Sequence, residues 1–168
     1  QPPIATNTVG PVFRSLMPTS DPSRTFPNLA AIINNTTPTW EVLPSVARTL
    51  NFRLTVRDNS TLGGRTDFKA VAITVGTAGP FLVATPNTGS EIWYVGETKA
   101  VTWTVASTNT ATYSTTVNIK LSTDGGYTYP ITLATGVANN GTYNITVPDN
   151  VGKLNRIKVE AAANIFFD

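Results

Sequence analysis

Apolar and polar side chains alternate one for one in short runs along much of this chain, and Gly, Pro, Asn and Asp separate the runs. In residues 50–57, Phe52, Leu54 and Val56 share one face while Arg53, Thr55 and Arg57 share the other. A period of two marks a half-buried antiparallel strand, because successive side chains point to opposite faces. The same alternation returns with Val71, Ile73 and Val75, and with Val101, Trp103 and Val105. It recurs with Val117, Ile119 and Leu121, with Tyr143, Ile145 and Val147, and with Ile157, Val159 and Ala161. Shorter apolar pieces at 81–84, 92–95 and 131–133 read as further strands. Strands at this spacing with turn residues between them predict an all-β chain of antiparallel sandwich type.

The pattern changes along the chain. Residues 1–48 read mostly as loop, because Pro2, Pro3, Pro11, Pro18, Pro22, Pro27, Pro38 and Pro44 interrupt any helix or central strand. Val12-Phe13 and Leu29–Ile33 are apolar pieces able to anchor that loop on a sheet, the latter as one helical turn or a short strand. The turn at 58–64 joins the 50–57 strand to 68–75 as a hairpin. A lone hairpin is marginal in water. Residues 1–77 are therefore expected to be part of a sandwich whose remaining strands lie upstream of Gln1 or on a neighbouring chain. Residues 76–80 are a short hinge, and 78–168 reads as a second sandwich that stops before the strand due beside 156–161. Its open row of N–H and C=O groups would invite pairing with another segment. The expected fold is two tandem immunoglobulin-like antiparallel β-sandwich modules, each incomplete within the chain.

The chain has no histidine, no cysteine and only 13% charged residues. Nucleophilic catalysis then lacks its usual base, and the ten acids are scattered rather than paired. No enzymatic activity, cofactor or metal site is expected. The formal charge is +2 with no basic stripe, so nucleic acid is not an expected partner. No stretch is long and apolar enough to span a membrane. The start, Gln1-Pro2-Pro3, is not a signal peptide and reads as a processed end or an excerpt.

Several residues invite a functional reading. Asp58, Asn59 and Asp67 flank one loop and carry oxygens suited to calcium, but their density favours simple termination of a strand through local backbone bonds. Residues 122–129, Ser-Thr-Asp-Gly-Gly-Tyr-Thr-Tyr, resemble the Asp-box turn of sialidase-like β proteins, a structural turn. Trp40, Trp93, Trp103, Tyr94, Tyr113, Tyr127 and Tyr129 are candidates for a sugar-stacking platform, with Trp103 expected in the core. Trp93 and Tyr94 are adjacent, so one must point outward. Asn34, Asn35, Asn59, Asn140 and Asn144 begin Asn-x-Ser/Thr sequons, which chance supplies in a chain this rich in Asn and Thr.

Longer strings carry a family resemblance. Gly79-Pro80-Phe81-Leu82-Val83, Thr85-Pro86-Asn87, Trp93, Gly96, Val101-Thr102-Trp103, residues 121–126, Val147-Pro148 and Arg156-Ile157-Lys158-Val159 resemble the C-terminal immunoglobulin-like module of secreted reprolysin-type metalloproteases of Bacteroidetes. Pro22-Ser23-Arg24, Phe26-Pro27-Asn28-Leu29, Trp40-Glu41-Val42-Leu43-Pro44 and residues 50–59 resemble the module that precedes it. The resemblance implies export by the type IX route and a place at the cell surface or outside it. It does not imply proteolysis, since the zinc-binding His-Glu-x-x-His helix is absent.

The expected function is a non-catalytic extracellular structural or adhesive module. It would assemble with other chains, as a homo-oligomer or with other segments of the same parent protein, by strand complementation into a filament. The alternative is an accessory domain of a secreted metalloprotease that binds a surface polysaccharide or protein.

Overall fold

A computed structural model describes all 168 residues, and the chain divides into two compact units, Gln1–Thr77 and Ala78–Asp168. The protein is nearly all β, with antiparallel sheets throughout.

Unit 1 has one short helix, α1 (Leu29–Ile33), and two long strands, β1 (Arg48–Arg57) and β2 (Thr66–Val75). The strands form the expected hairpin, in unbroken register from Arg48 opposite Val75 to Arg57 opposite Thr66. Asp58 closes the connection, its Oδ1 accepting from the N–H of Ser60 at 3.1 Å and of Arg65 at 2.9 Å. Residues 29–33 take the helical option because Asn28 caps them, its Oδ1 accepting from the Ala31 N–H at 3.0 Å.

The loop before β1 packs over one end of the hairpin. Phe26 stands 4.7 Å from both Phe13 and Phe52, ring centre to ring centre, and Val12 is fully buried beside them. Arg48 ties the loop down by donating to the carbonyls of Asn7 (2.7 Å) and Gly10 (2.6 Å). Glu41 is buried and accepts from Arg24 at 2.8 Å and from the Asn28 N–H at 3.1 Å. Phe13 and Glu41 also form an isolated antiparallel bridge.

That cover stops at Phe52. Leu54, Val56 and Val71 continue the same apolar face but stay 53%, 59% and 47% exposed. Alternation correctly marks the face suited to burial, yet the layer that would bury it is not supplied by unit 1. Within this chain unit 1 is a hairpin with a packed base, not a two-layer sandwich.

Unit 2 contains β3 (Leu82–Thr85), β4 (Thr98–Thr104), β5 (Thr116–Ser122), β6 (Ile131–Ala138), β7 (Thr142–Thr146) and β8 (Arg156–Ala161). One sheet runs β3-β4-β7 and the other β6-β5-β8, so the chain changes sheet after β4, β6 and β7 in the manner of an immunoglobulin-type sandwich. Val83, Val101, Trp103 and Ile145 from the first sheet meet Val117, Ile119 and Val159 from the second, and all are buried. Burying side chains of this size contributes about 1.5–3 kcal/mol each. β6 is longer than its sequence suggested. Its pairing with β5 is irregular around Val117 and Ile119, where the Asn118 side chain accepts from the Gly136 N–H at 2.9 Å and carries the strand past the break.

Two expectations need correction. Residues 92–95 are not a strand but part of the loop 86–97. Glu91 draws in the N–H groups of Asn87 (2.8 Å) and Thr88 (3.0 Å), and Glu97 takes that of Tyr94 (3.1 Å). These acids hold the backbone in local turns that compete with a ladder. The edge of β8 is also not left wholly open. The chain turns at 162–165 and lays Phe166–Asp168 along it, with Val159 and Asp168 exchanging both backbone bonds (2.8 and 3.0 Å) and Ala161 donating to the Phe166 carbonyl (2.9 Å). Phe166 packs 5.1 Å from Phe81, and the Asp168 carboxylate accepts from the Val83 N–H on the opposite sheet at 2.6 Å. The tail therefore covers the Val159–Ala161 part of the β8 edge through an isolated bridge between Glu160 and Phe167.

Glu91 gives unit 2 a pH-sensitive loop. Hydrogen bonds from the Thr88 side chain, then from the N–H groups of Asn87 and Thr88, lower its pKa to about 2. A lowered folded pKa means the ionised form stabilises the loop at pH above the unfolded value. That contribution fades as pH falls from about 4.3 toward 2. NMR amide shifts of Asn87 and Thr88 are expected to titrate with the low midpoint, and Glu91→Gln should remove the titration.

Candidate functional site

The residues singled out by sequence do not converge. Asp58 turns its carboxylate onto its own loop, and the Ser60 N–H followed by that of Arg65 lowers its pKa. Asp67 accepts from the N–H of Phe68 at 2.7 Å, and Asn59 holds a positive φ of 51° at the turn. Nowhere in the chain do three His, Cys, Asp or Glu side chains gather as a metal site.

The Asp-box segment is a tightly bonded turn. Asp124 accepts from the Thr128 hydroxyl (2.6 Å) and N–H (3.0 Å), and from the Ser122 hydroxyl (2.7 Å). Those same donors, Thr128 first, hold its pKa well below the usual carboxylate range. Gly125 and Gly126 sit at φ 85° and 100°, where a side chain would be strained. Tyr129 is half-buried beneath Lys158 at 4.6 Å, while Tyr127 is exposed.

The aromatic residues form no platform. Trp103 is core and donates its indole N–H to Asn139 at 2.8 Å. Trp93 packs partly against the same core, and Tyr94 is exposed. Trp40 lies under the Arg14 guanidinium at 4.4 Å. The ring-to-ring contacts in the chain are all between phenylalanines. The sequon residues Asn34, Asn35, Asn59, Asn140 and Asn144 are all exposed. A depression of about 210 Å³ is lined by Gln1, Pro2, Pro3, Trp40 and neighbours without an acidic or basic side chain. It is smaller than the roughly 300 Å³ at which ligand pockets begin.

The outer half of the hairpin is different. Arg53, Arg57, Arg65 and Lys69 are exposed there, and none takes part in the ion pairs Arg24–Glu41, Lys99–Glu97, Lys120–Glu160 or Lys158–Glu160. Arg53 lies over the Phe68 ring at 4.1 Å. The apolar residues Leu54, Val56 and Val71 occupy the other face, and the outer edges of β1 and β2 pair with no strand. Open edges, bare apolar surface and unpaired cations thus coincide on one element. Composition, with its near-zero net charge, concealed that coincidence. The alternation of Arg53 and Arg57 with Leu54 and Val56 carried the signal.

No protein-family model, curated protein or solved structure matches this chain.

Proposed function

We propose that the protein is a non-catalytic structural module that joins other polypeptide segments by sheet completion at unit 1, while unit 2 packs a two-sheet core of its own. The observation that carries this reading is the hairpin whose Leu54, Val56 and Val71 remain about half exposed on a sheet with two unpaired edges. Long exposed edges with apolar faces are templates for strand addition. The residues behind the resemblance to the metalloprotease-associated module, Arg24, Phe26, Asn28, Glu41 and Phe52, are those that pack the hairpin's base. The extracellular or cell-surface setting and the assembly with segments of a larger protein, including assembly into a filament, are what that resemblance implies.

Sedimentation velocity over a concentration series, with electron micrographs of the same samples, tests the reading. Reversible association is expected, and it should strengthen as salt screens the repulsion between the basic hairpins of two copies. Leu54→Lys with Val56→Lys should abolish it. Dispersed monomers at every concentration and salt would contradict the proposal.

A further inference from the structure

We propose that the outer edge of β1 accepts an extended partner strand whose side chains alternate apolar and acidic, a statement that rests on the sheet-completing role above and names the partner's chemistry. β1 presents two different faces to any strand laid beside it. Phe52, Leu54 and Val56 line one, and Arg53, Thr55 and Arg57 line the other. A strand added about 4.8 Å away places its own alternate residues next to each row. Apolar residues would cover Leu54 and Val56. Acids on the opposite face would meet Arg53 and Arg57, whose Cα atoms stand about 14 Å apart at the usual rise. Arg53 is pre-oriented by its stack on Phe68 at 4.1 Å.

The edge of β2 lacks this asymmetry. Its residues on the arginine face are Thr66, Phe68, Ala70, Ala72 and Thr74, and on the apolar face Asp67 and Lys69 offset one another. A simple polyanion would satisfy the arginines but leave the apolar row and the backbone edge bare. One extended acidic segment accounts for all three.

The test uses the full chain and two labelled synthetic peptides, one alternating valine and glutamate, the other alternating valine and lysine. The glutamate peptide is expected to bind roughly ten-fold more tightly, since it sets opposite charges beside Arg53 and Arg57 where the lysine peptide sets like charges. Its binding should weaken with added salt, opposite to self-association, and should slow hydrogen exchange within 52–57. Arg53→Glu with Arg57→Glu should invert the preference, and Arg57→Glu alone should reduce it. Equal binding of the two peptides, or binding that inorganic polyphosphate reproduces without protection in β1, would overturn the inference. If salt-strengthened self-association persists in that case, the partner chemistry fails alone. If self-association is also absent, the sheet-completing role fails with it.

Discussion

Replacing Asn139 with alanine is expected to destabilise unit 2 by about 3 kcal/mol. Asn139 is buried, and its side chain uses both ends. Its Oδ1 accepts from the Trp103 indole at 2.8 Å, and its Nδ2 donates to the Ser114 carbonyl at 3.0 Å and the Thr108 hydroxyl at 3.2 Å. Ser114 and Ser122 are buried as well, and the Ser114 hydroxyl accepts from the Ala163 N–H at 3.2 Å, close to the turn into the tail. Asn139 thus links β4, the 105–115 loop and the approach to the tail. Alanine strands an indole N–H and a carbonyl in the core, and each such group costs about 1–3 kcal/mol. On a Trp103→Phe background, which lacks the indole donor, the same substitution should cost about 1 kcal/mol less. Urea denaturation followed by far-ultraviolet circular dichroism measures both. A loss below about 1 kcal/mol would show that water replaces the asparagine freely.

Glu41→Ala should weaken unit 1 by about 3 kcal/mol, the low end for breaking a buried ion pair, because Arg24 keeps some contact with solvent. The carboxylate is 7% exposed and the Arg24 side chain 25%. Removing Glu41 leaves the guanidinium over the Phe26 ring (4.5 Å) with no counter-charge, and its Nε already lacks a partner. It also frees the Asn28 N–H at the start of α1. Limited proteolysis of residues 1–47 should accelerate sharply. Glu41→Leu combined with Arg24→Met should restore most of the resistance, since an apolar pair of similar volume removes the desolvation cost of both charges. A single variant as resistant as the parent chain would mean the pair contributes nothing to holding the loop.

Alternation revealed β4, β5 and β8 because each buries alternate residues against the opposite sheet, and it revealed β7 although Tyr143 stays exposed and Ile145 alone of that row is buried. It misplaced residues 92–95, where Glu91 and Glu97 bond nearby N–H groups and bend an apolar run into a loop. It had no means of placing Phe166–Asp168 on β8, because three residues are too few to show a period and their seat depends on Phe81 and Val83, far away in sequence. The hairpin shows the remaining limit. Period two identified Phe52, Leu54 and Val56 as one face, but whether a layer covers them depends on what else packs there. The same pattern placed Arg53 and Arg57 together. Their lack of ion-pair partners emerged only from the folded arrangement.

Hydrogen exchange resolved by residue, compared between dilute and concentrated chain, most directly tests whether unit 1 is the element awaiting added strands. New protection confined to residues 50–57 and 66–75, with β4, β5 and β8 equally slow in both samples, is the expected result. Hairpin amides already as slow as those of β5 in the dilute sample, or protection gained in unit 2 instead, would contradict it.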